Sequence, residues 1–467
     1  MKRMTIAAML LSVCSASTFA GGLVTNSNQS ASFLRNPARD AVIDIDGVYT
    51  NPAGVSFMPN GLHLGITAQH PEQQRNVTTT YAPLAMNVNR FGEQTHRYKG
   101  QASAPVVPSL QAAYVMDKWT VSASFAICGG GGKCEFDNGI GSIESVYATL
   151  AGKFGAKGYS LDAFMKGRQY YYGVQLGAGY KVTDQLAVFA GMRCMIGNAS
   201  YTGHVRNLAL YADGANKVPM PAMYLTQIAA AIKGMGDPTG TGNIEMTTDQ
   251  SCVGWTPVIG IDYRINEHWN VAAKYEFRTK MALENSTEMN DFARNIPGVL
   301  DKFNADKNRK VRDDIPGTLT LGVQYSPIST VRISGGYHWY DDCNAKKYND
   351  EQDLIDAGTR EFLAGAEWDV TDAITVSAGW QNTHYSLSDA YMQDMSYNVS
   401  SNLLGLGVRV KVSPKVSIDL GYMHNFYGDH TVKVEDYKVL GQSTGMSKTD
   451  LYERKNDVVA IGANVSF

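Results

Sequence analysis

The sequence is short of charge. Asp, Glu, Lys and Arg make up 18% of its 467 residues, against ~25% in soluble domains. Neither sign dominates: 41 basic side chains face 44 acidic ones, for a formal net charge of −3. That balance excludes the basic domain or stripe of a nucleic-acid binder, so no nucleic-acid partner is expected. Long apolar runs are also missing. Beyond the extreme N-terminus nothing approaches the ~20 consecutive apolar residues that a membrane helix needs. No repeat period runs through the chain, which excludes solenoids and propellers. Cysteine is scarce, with six residues. Glycine and tyrosine are abundant instead, at 46 and 26 residues, and 44% of the chain is hydrophobic, too much for a disordered protein. Such a composition points to one large β-structure.

Residues 1–20 have a basic start at Lys2 and Arg3, a short apolar stretch over 4–13, and small residues ending at Ala20. This reads as a secretory signal peptide, with Gly21 as the first mature residue. Cys14 raises a lipoprotein alternative, but Val13 is not the small residue that site requires. Export leaves Cys128, Cys134, Cys194, Cys252 and Cys343 in an oxidising space. Cys128 and Cys134, separated by four glycines and a lysine, are the candidate disulfide. Zinc is the rival, but no histidine lies nearby and the spacing fits no common finger, so no metal and no cofactor is expected. The glycines do not make a phosphate loop, because Lys133 is followed by cysteine rather than Ser or Thr.

Six segments share one grammar: an aromatic-rich strand end, a tight polar turn, then a new alternating strand. They centre on Asp117, Thr183, Asn266, Pro327, Thr371 and Pro414. Each predicts a β-hairpin. Long connections alternate with these turns, at roughly 79–105, 128–169, 204–250, 286–311, 342–357, 386–398 and 432–456. Short turns on one side and long loops on the other is the pattern of outer-membrane barrels. The hairpins supply twelve strands, and one before (61–78) and one after (454–467) make about fourteen. The predicted fold is therefore all-β, a transmembrane antiparallel barrel over 60–467 with short helices in its extracellular loops. Alternation supports it. Val459, Ile461, Ala463, Val465 and Phe467 share one strand face, and Val458, Ala460, Gly462, Asn464 and Ser466 the other. Tyr170, Tyr171, Tyr172, Trp255, Trp269, Trp339, Trp368 and Trp380 suit interfacial girdles. A soluble β-sandwich also alternates, but the strand number, the charge deficit and the aromatics at strand ends stand against it. Fourteen strands enclose more space than their side chains can fill, so the lumen needs a plug.

Residues 21–59 are rich in Gly, Ser, Asn, Ala and Pro and precede the first strand. They read as a hatch inside the barrel; a floppy tail is the plainer alternative. Asn51, Pro52, Ala53 and Gly54 form a turn there, with Pro fixing φ and Gly free to take positive φ. The start at Gly21, the Ala-containing helical stretch, the motif from Asp46 through Asn51-Pro52-Ala53-Gly54 and the terminal Phe467 resemble the FadL-type long-chain fatty acid transporters. The resemblance implies a fourteen-stranded, monomeric outer-membrane barrel with a gating hatch that passes hydrophobic molecules without its own energy source. It also implies lateral exit through a kinked strand, for which the third strand, running into glycines 129–132, is the candidate. Phe467 would be read by the outer-membrane assembly machinery, and lipid and lipopolysaccharide would surround the wall.

Several loops are unusually apolar. Met220, Met223, Tyr224, Leu225 and Ile228 lie on a helical stretch that also carries Ile232, and they are candidate ligand contacts. Ile143, Tyr147, Leu150 and Phe154 make a second amphipathic stretch; Phe292, Ile296, Val299, Leu300 and Phe303 make a third. A mutually packed lid explains the same pattern. Arg193, Lys274, Arg278, Arg409 and Lys411 fall on the polar face of their strands. Arg193 and Arg278 are the candidate carboxylate holders, with pairing to Glu276 or Asp419 as the alternative. The expected function is passive uptake of long-chain fatty acids or other hydrophobic small molecules. A porin for small solutes is the second reading, and the hatch and the apolar loops count against it. An enzyme is not expected: His338 and His384 with Ser386 and Ser388 form no recognisable motif. A purely structural barrel or adhesin would need no plug.

Overall fold

The computed structural model describes Thr25 and residues 29–234, 237–295, 303, 310–439 and 441–467. The predicted signal peptide and Gly21 lie outside the described residues, as do Ile296, Val299 and Leu300. Fourteen antiparallel strands close into a barrel. They are β1 Gly61–Tyr81, β2 Thr95–Ser103 continued by Val107–Val115, β3 Trp119–Phe136, β4 Gly158–Lys181 and β5 Leu186–Asp213. Next come β6 Ile244–Arg264, β7 Trp269–Glu276 continued by Ala282–Met289, β8 Lys310–Arg312 continued by Thr318–Ile328, and β9 Val331–Tyr340. The circuit ends with β10 Ile355–Asp369, β11 Ile374–Leu387, β12 Ser401–Ser413, β13 Val416–Tyr427 continued by His430–Val434, and β14 Lys448–Ser466. β14 returns to β1 in an unbroken register from His63↔Ser466 to Tyr81↔Lys448, which closes the sheet.

All six predicted hairpin turns are where the sequence places them. Asn266 shows the local reason: its side chain accepts hydrogen bonds from the backbone N–H groups of His268 and Trp269, an Asx turn that reverses the chain. At the opposite end the connections are shorter than expected. β1 runs on to Tyr81, β4 begins at Gly158 and β5 reaches Asp213. These extensions pair as strands but rise beyond the apolar belt, so they carry polar residues on both faces, such as Thr78, Thr79 and Thr80 opposite Arg97, His96 and Thr95. Without the lipid-facing alternation they read as loop.

The wall's outer face is an apolar belt. Ile66, Leu176, Val253, Trp255, Leu321, Leu406 and Ile461 are all exposed, and Trp119, Trp269 and Trp368 stand beside the short turns. Water would penalise this surface; hydrocarbon does not. Tyr170 and Tyr172 face outward, but Tyr171 does not join the girdle. Alternation turns it into the lumen, where its hydroxyl donates to Asp313 at 2.6 Å.

Residues 29–58 lie inside the barrel, almost wholly buried. Helix α1, Ala31–Arg35, is capped by the Ser30 hydroxyl, which accepts from Phe33 N. Helix α2 follows at Gly47–Thr50. Leu34 packs against Leu403, Met423 and Val458, and Val48 with Val55 against Ala113. Charges complete the seat. Arg35 reaches Glu367 and Asp419, both at 2.9 Å, and Arg39 reaches Asp46 at 2.7 Å and Glu367 at 3.1 Å. Arg409 of the wall closes the set on Asp44 at 2.7 Å and Asp419 at 2.8 Å. The wall opposite α1 is stripped of side chains: a Cβ at Gly405 or Gly421 would collide with the backbone oxygens of Leu34 and Ala31, and one at Gly365 with the Asn36 side chain.

The predicted disulfide is absent. Cys128 and Cys134 are both free and buried. They sit on the same extended strand, opposite residues near Tyr172 and Gly167 of β4, so their Cα atoms are separated by roughly 15–20 Å. A disulfide tolerates less than about 7 Å. Gly54 also departs from expectation. It has no positive φ; it is glycine because a Cβ would strike the Asn51 amide and the Asp262 carboxylate.

Because Gly405 seats the α1 backbone directly, Gly405→Val should unseat residues 29–36 while leaving the barrel closed. The expected outcome is a heat-modifiable, folded protein whose single-channel conductance in planar bilayers exceeds that of the unmodified chain. Equal conductance would mean that this contact does not plug the lumen.

Candidate ligand channel

The ladder of the wall is missing at two places among the described residues: between Val258↔Glu276 and Ser251↔Glu284 on β6 and β7, and over a longer stretch between β2 and β3. β3 pairs with β2 from Thr120↔Val115 to Phe125↔Leu110. Pairing resumes only at Glu135↔Gln101 and Phe136↔Gly100. Between them, 102–109 and 126–134 face each other without a ladder. Both strands contribute. On β2 the chain is interrupted at 104–106, where two residues of β1 oppose three of β2. Pro105 and Pro108 lack the N–H a ladder would use. On β3 the register shifts twice across glycines 129–132, and Gly130 and Gly132 hold φ of 106° and 69°. Those angles exclude most side chains. A Cβ on Gly130 would strike the Gln169 backbone of β4, so β3 leans on β4 and away from β2.

Freed backbone groups here find side-chain partners. His70 Nδ1 lies 2.9 Å from the Ala104 carbonyl. Gln29, at the head of the lumenal segment, donates to the Ile127 carbonyl of β3 at 2.9 Å. Its own carbonyl accepts from Ser109 at 2.5 Å and Gln111 at 3.2 Å on β2. One residue therefore stitches both lips of the gap.

A cavity of about 180 Å³ spans the gap, bounded on the lumen side by Tyr385, Met423 and Arg454, in the wall by Ala104, Val107, Ile127 and Gly130, and reaching the outward-facing Tyr170. Cys128 also borders a smaller cavity of about 50 Å³ between the lumenal segment and the wall, lined by Phe33, Tyr49, Arg193, Met195, Lys274 and His338. Arg193 is fully engaged there: two nitrogens bond Gln175, Nη1 donates to Glu276 at 2.5 Å, and the guanidinium lies over the Tyr49 ring at 4.5 Å. Lys274 bonds Glu276 and the Tyr49 carbonyl, each at 2.8 Å. The alternative to ligand binding, an internal pair, is what forms. Lumenal residues Asn51 and Asp40 meet the wall nearby: Asn51 donates to Asp262 at 2.6 Å, and His338 stands between Asp40 at 3.0 Å and Glu361 at 2.8 Å. His338 thus faces carboxylates rather than a serine, and His384 points outward. Pro52 lies beside Gly260, and Ala53 packs on Phe189 and Val258.

The chain is similar in fold to solved outer-membrane channels. A Pseudomonas aeruginosa FadL homologue superposes with a TM-score of 0.66 at 14% identity, covering 96% of this chain and all of that one (100%). The P. putida toluene transporter TodX gives 0.55 at 11% identity over 91% and 94% of the two chains. The CymD monoaromatic hydrocarbon channel gives 0.53 at 12% over 96% and 98%. No protein-family model and no curated protein matches the sequence. The fold is that of the FadL-type channels.

Above this FadL-type lumen the loops pack into a cap. Helix α3, Gly141–Lys153, buries Ile143, Tyr147 and Leu150, and Phe292 and Phe303 join the same core. Helix α4, Ala222–Gly234, buries Ile232 and half-buries Ile228, and Met220 is buried beneath it. Met223, Tyr224 and Leu225 point away, at 63%, 46% and 39% exposure. The candidate set is therefore divided between the cap's interior and its outer surface, and none of it lines the cavity at the gap. Arg278 is also elsewhere: it is exposed and bonds the Asn344 carbonyl. The sequence reading missed Arg454 and the prolines of β2. Both carried a signal: Arg454 is in phase with the inward residues Asn456 and Val458, and prolines inside strands mark edges or breaks.

Glu144 ties α3 to the barrel rim. It accepts hydrogen bonds from Tyr98 at 2.6 Å, Asn87 at 2.7 Å and Tyr159 at 2.9 Å, with His96 Nδ1 at 3.1 Å. Burial pushes its carboxyl up, but His96 and these donors outweigh burial and hold it down at about 2. A depressed carboxylate contributes stability above its unfolded pKa, about 4.3, and loses it as pH falls toward the folded value. Hydrogen-exchange protection of α3 should therefore stay level from about pH 8 to 5 and decline below about pH 4. Glu144→Gln should lower protection at neutral pH and remove the decline; an unchanged profile would exclude Glu144 as the anchor.

Proposed function

We propose that this protein carries hydrophobic small molecules, long-chain fatty acids or compounds of similar character, passively across the bacterial outer membrane, and that they leave sideways into the bilayer. The observation that carries the reading is the unpaired stretch of wall between β2 and β3, backed by a cavity and closed on the turn side by the lumenal segment. A route straight through the lumen would meet buried ion pairs and close-packed backbone. A route through the wall meets Ala104, Val107 and Ile127. Residues 21–59 act as the hatch in this reading, with Gly21, Asn51, Pro52, Ala53 and Gly54 in the gating segment. Exposed Met223, Tyr224 and Leu225 on α4 capture the ligand, because flexible apolar side chains accept varied shapes. The neighbours in fold support the class: one is a FadL homologue, one a toluene transporter and one a monoaromatic hydrocarbon channel. The protein acts as a monomer in outer-membrane lipid and lipopolysaccharide, and Phe467, 63% exposed, remains available to the assembly machinery.

The test narrows the gap without touching the hatch. Ala104→Trp places a large ring at its rim. Uptake of radiolabelled oleate or toluene by cells expressing the channel should fall at least about fivefold, with the barrel present at normal level and heat-modifiable. Undiminished uptake would exclude the gap as the exit.

A further inference from the structure

On the lipid side of β3 and β4 the apolar belt ends in an aromatic edge, and a group of cations stands above it. Val174 and Leu176 of β4 and Ile196 of β5 are exposed on the belt. Toward the long loops, Tyr172 stacks with Phe125 of β3 at 6.4 Å, and Tyr170 stands 6.1 Å from Tyr172. Such rings mark the level where hydrocarbon gives way to head groups. The next outward residue on β4 is Arg168, which is exposed and lies two positions, about 7 Å, further along the strand. Directly across the β3–β4 ladder stands Lys133, and one step higher Lys166 faces Glu135. Like charges placed opposite each other on one sheet face repel. Glu135 pairs with Lys133 at 2.8 Å and with Lys166 at 3.6 Å, which leaves Arg168 without a carboxylate in ion-pair range among the described residues. On β5 the residues beside Tyr170, Arg168 and Lys166 are Asn198, Ser200 and Thr202, all neutral. The acid in that row, Asp249 of β6, is two strands from Arg168, roughly 10 Å. Three cations against one carboxylate thus leave positive charge in excess just above the aromatic edge.

We propose that Lys133 and Arg168 hold a phosphate of the membrane's own outer-leaflet glycolipid, the phosphorylated lipid A part of lipopolysaccharide, against the outside of the wall. The unanswered charge calls for an anion. The rings beneath it call for a lipid rather than a soluble ion, and the long-loop side places that lipid in the outer leaflet of the outer membrane. A guanidinium takes two phosphate oxygens at once, and the Lys133 ammonium takes a third. Asn198 and Ser200 offer hydrogen bonds to sugar hydroxyls. The acyl chains lie down over Tyr170, Tyr172, Phe125 and Val174. Because β3 is also one lip of the gap, the site keeps a bound lipid beside that opening. The inference rests on the outer-membrane location and not on the transport reading.

The experiment measures binding of lipid A, dephosphorylated lipid A and phosphatidylglycerol to the full-length protein in detergent with EDTA present, by native mass spectrometry. The proteins are the wild type, Lys133→Gln, the double variant Lys133→Gln with Arg168→Gln, and a double variant of equal charge change on the turn side, Lys118→Gln with Lys415→Gln. Wild type should hold lipid A at least about tenfold more tightly than either other lipid. The Lys133 and Arg168 double variant should lose about tenfold or more, Lys133→Gln alone part of that, and the turn-side variant nothing. Equal binding of dephosphorylated lipid A overturns the proposal. An equal loss in the turn-side variant overturns it too, because net charge would then explain the effect. Phosphatidylglycerol held as tightly as lipid A overturns it by making the occupant a phospholipid. If the Lys133 and Arg168 double variant fails the heat-modifiability check, the preference of the wild type for phosphorylated lipid A, and its reduction in Lys133→Gln, decide.

Discussion

Backbone amides cannot be left unpaired in hydrocarbon, and this constraint shapes everything else in the molecule. It forces the sheet to close, so β14 must return to β1. It forbids loops inside the belt, so every chain reversal is either a tight turn at one rim or a longer excursion beyond the other. It makes the interruption between β2 and β3 conspicuous. Where β2 and β3 part, two prolines have removed donors from the ladder, His70 covers one carbonyl and Gln29 another. Those two carbonyls have partners other than the neighbouring strand, which helps the gap persist.

Closure creates a second problem. A fourteen-stranded cylinder is too wide for its own side chains, and the segment that fills it is not self-sufficient. α1 has five residues, far below the length at which a helix holds itself together in water. Its order has to come from the wall. Apolar contacts around Leu34 give affinity, glycines let its backbone approach, and the cluster of Arg35, Arg39 and Arg409 with Asp44, Asp46, Glu367 and Asp419 fixes its position. Buried ion pairs rarely exceed apolar packing in stability, but removing one partner costs about 3–5 kcal/mol, since the other charge is then stranded. Such a cluster tolerates one arrangement and penalises slippage. That suits a segment which must sit in one place without the register of a sheet.

The sequence announced the wall well and the lumen poorly, for one physical reason. Hairpin turns and the lipid-facing period are local: Asn266 caps its own turn, and Val459, Ile461 and Phe467 alternate within one strand. Strand tops above the belt lose that period, which is why Thr78–Thr80 and the start of β4 looked like loop. The short Cys128–Cys134 spacing suggested a bond, but an extended strand stretches six residues far beyond disulfide reach. Glycines 129–132 did mark the irregular strand. Alternation put Glu276 on the polar face with Arg193, so that pair was legible as an alternative, but the partners of Arg35 and His338 come from residues tens or hundreds of positions away, and no periodicity encodes them. Helix α4 shows the intermediate case: a stripe was visible, yet which members faced the cap and which faced water depended on neighbouring loops.

Gln29 links these two levels of organisation. It touches both lips of the gap, and it lies two positions before α1, whose Arg35 is held in the ion-pair cluster. The segment between is short and buried throughout, so it has little slack with which to absorb a displacement. Hydrogen bonds fail beyond a few tenths of an ångström of stretch. A shift of α1 that breaks its contacts with Leu403 and Met423 therefore cannot leave Gln29 bonded to Ser109, Gln111 and Ile127 at once. Conversely, a molecule that spreads β2 from β3 must detach Gln29 from at least one of them, and then pulls on or releases the head of the lumenal segment. The width of the gap and the seating of that segment are thus not independent variables. The same three hydrogen bonds set both.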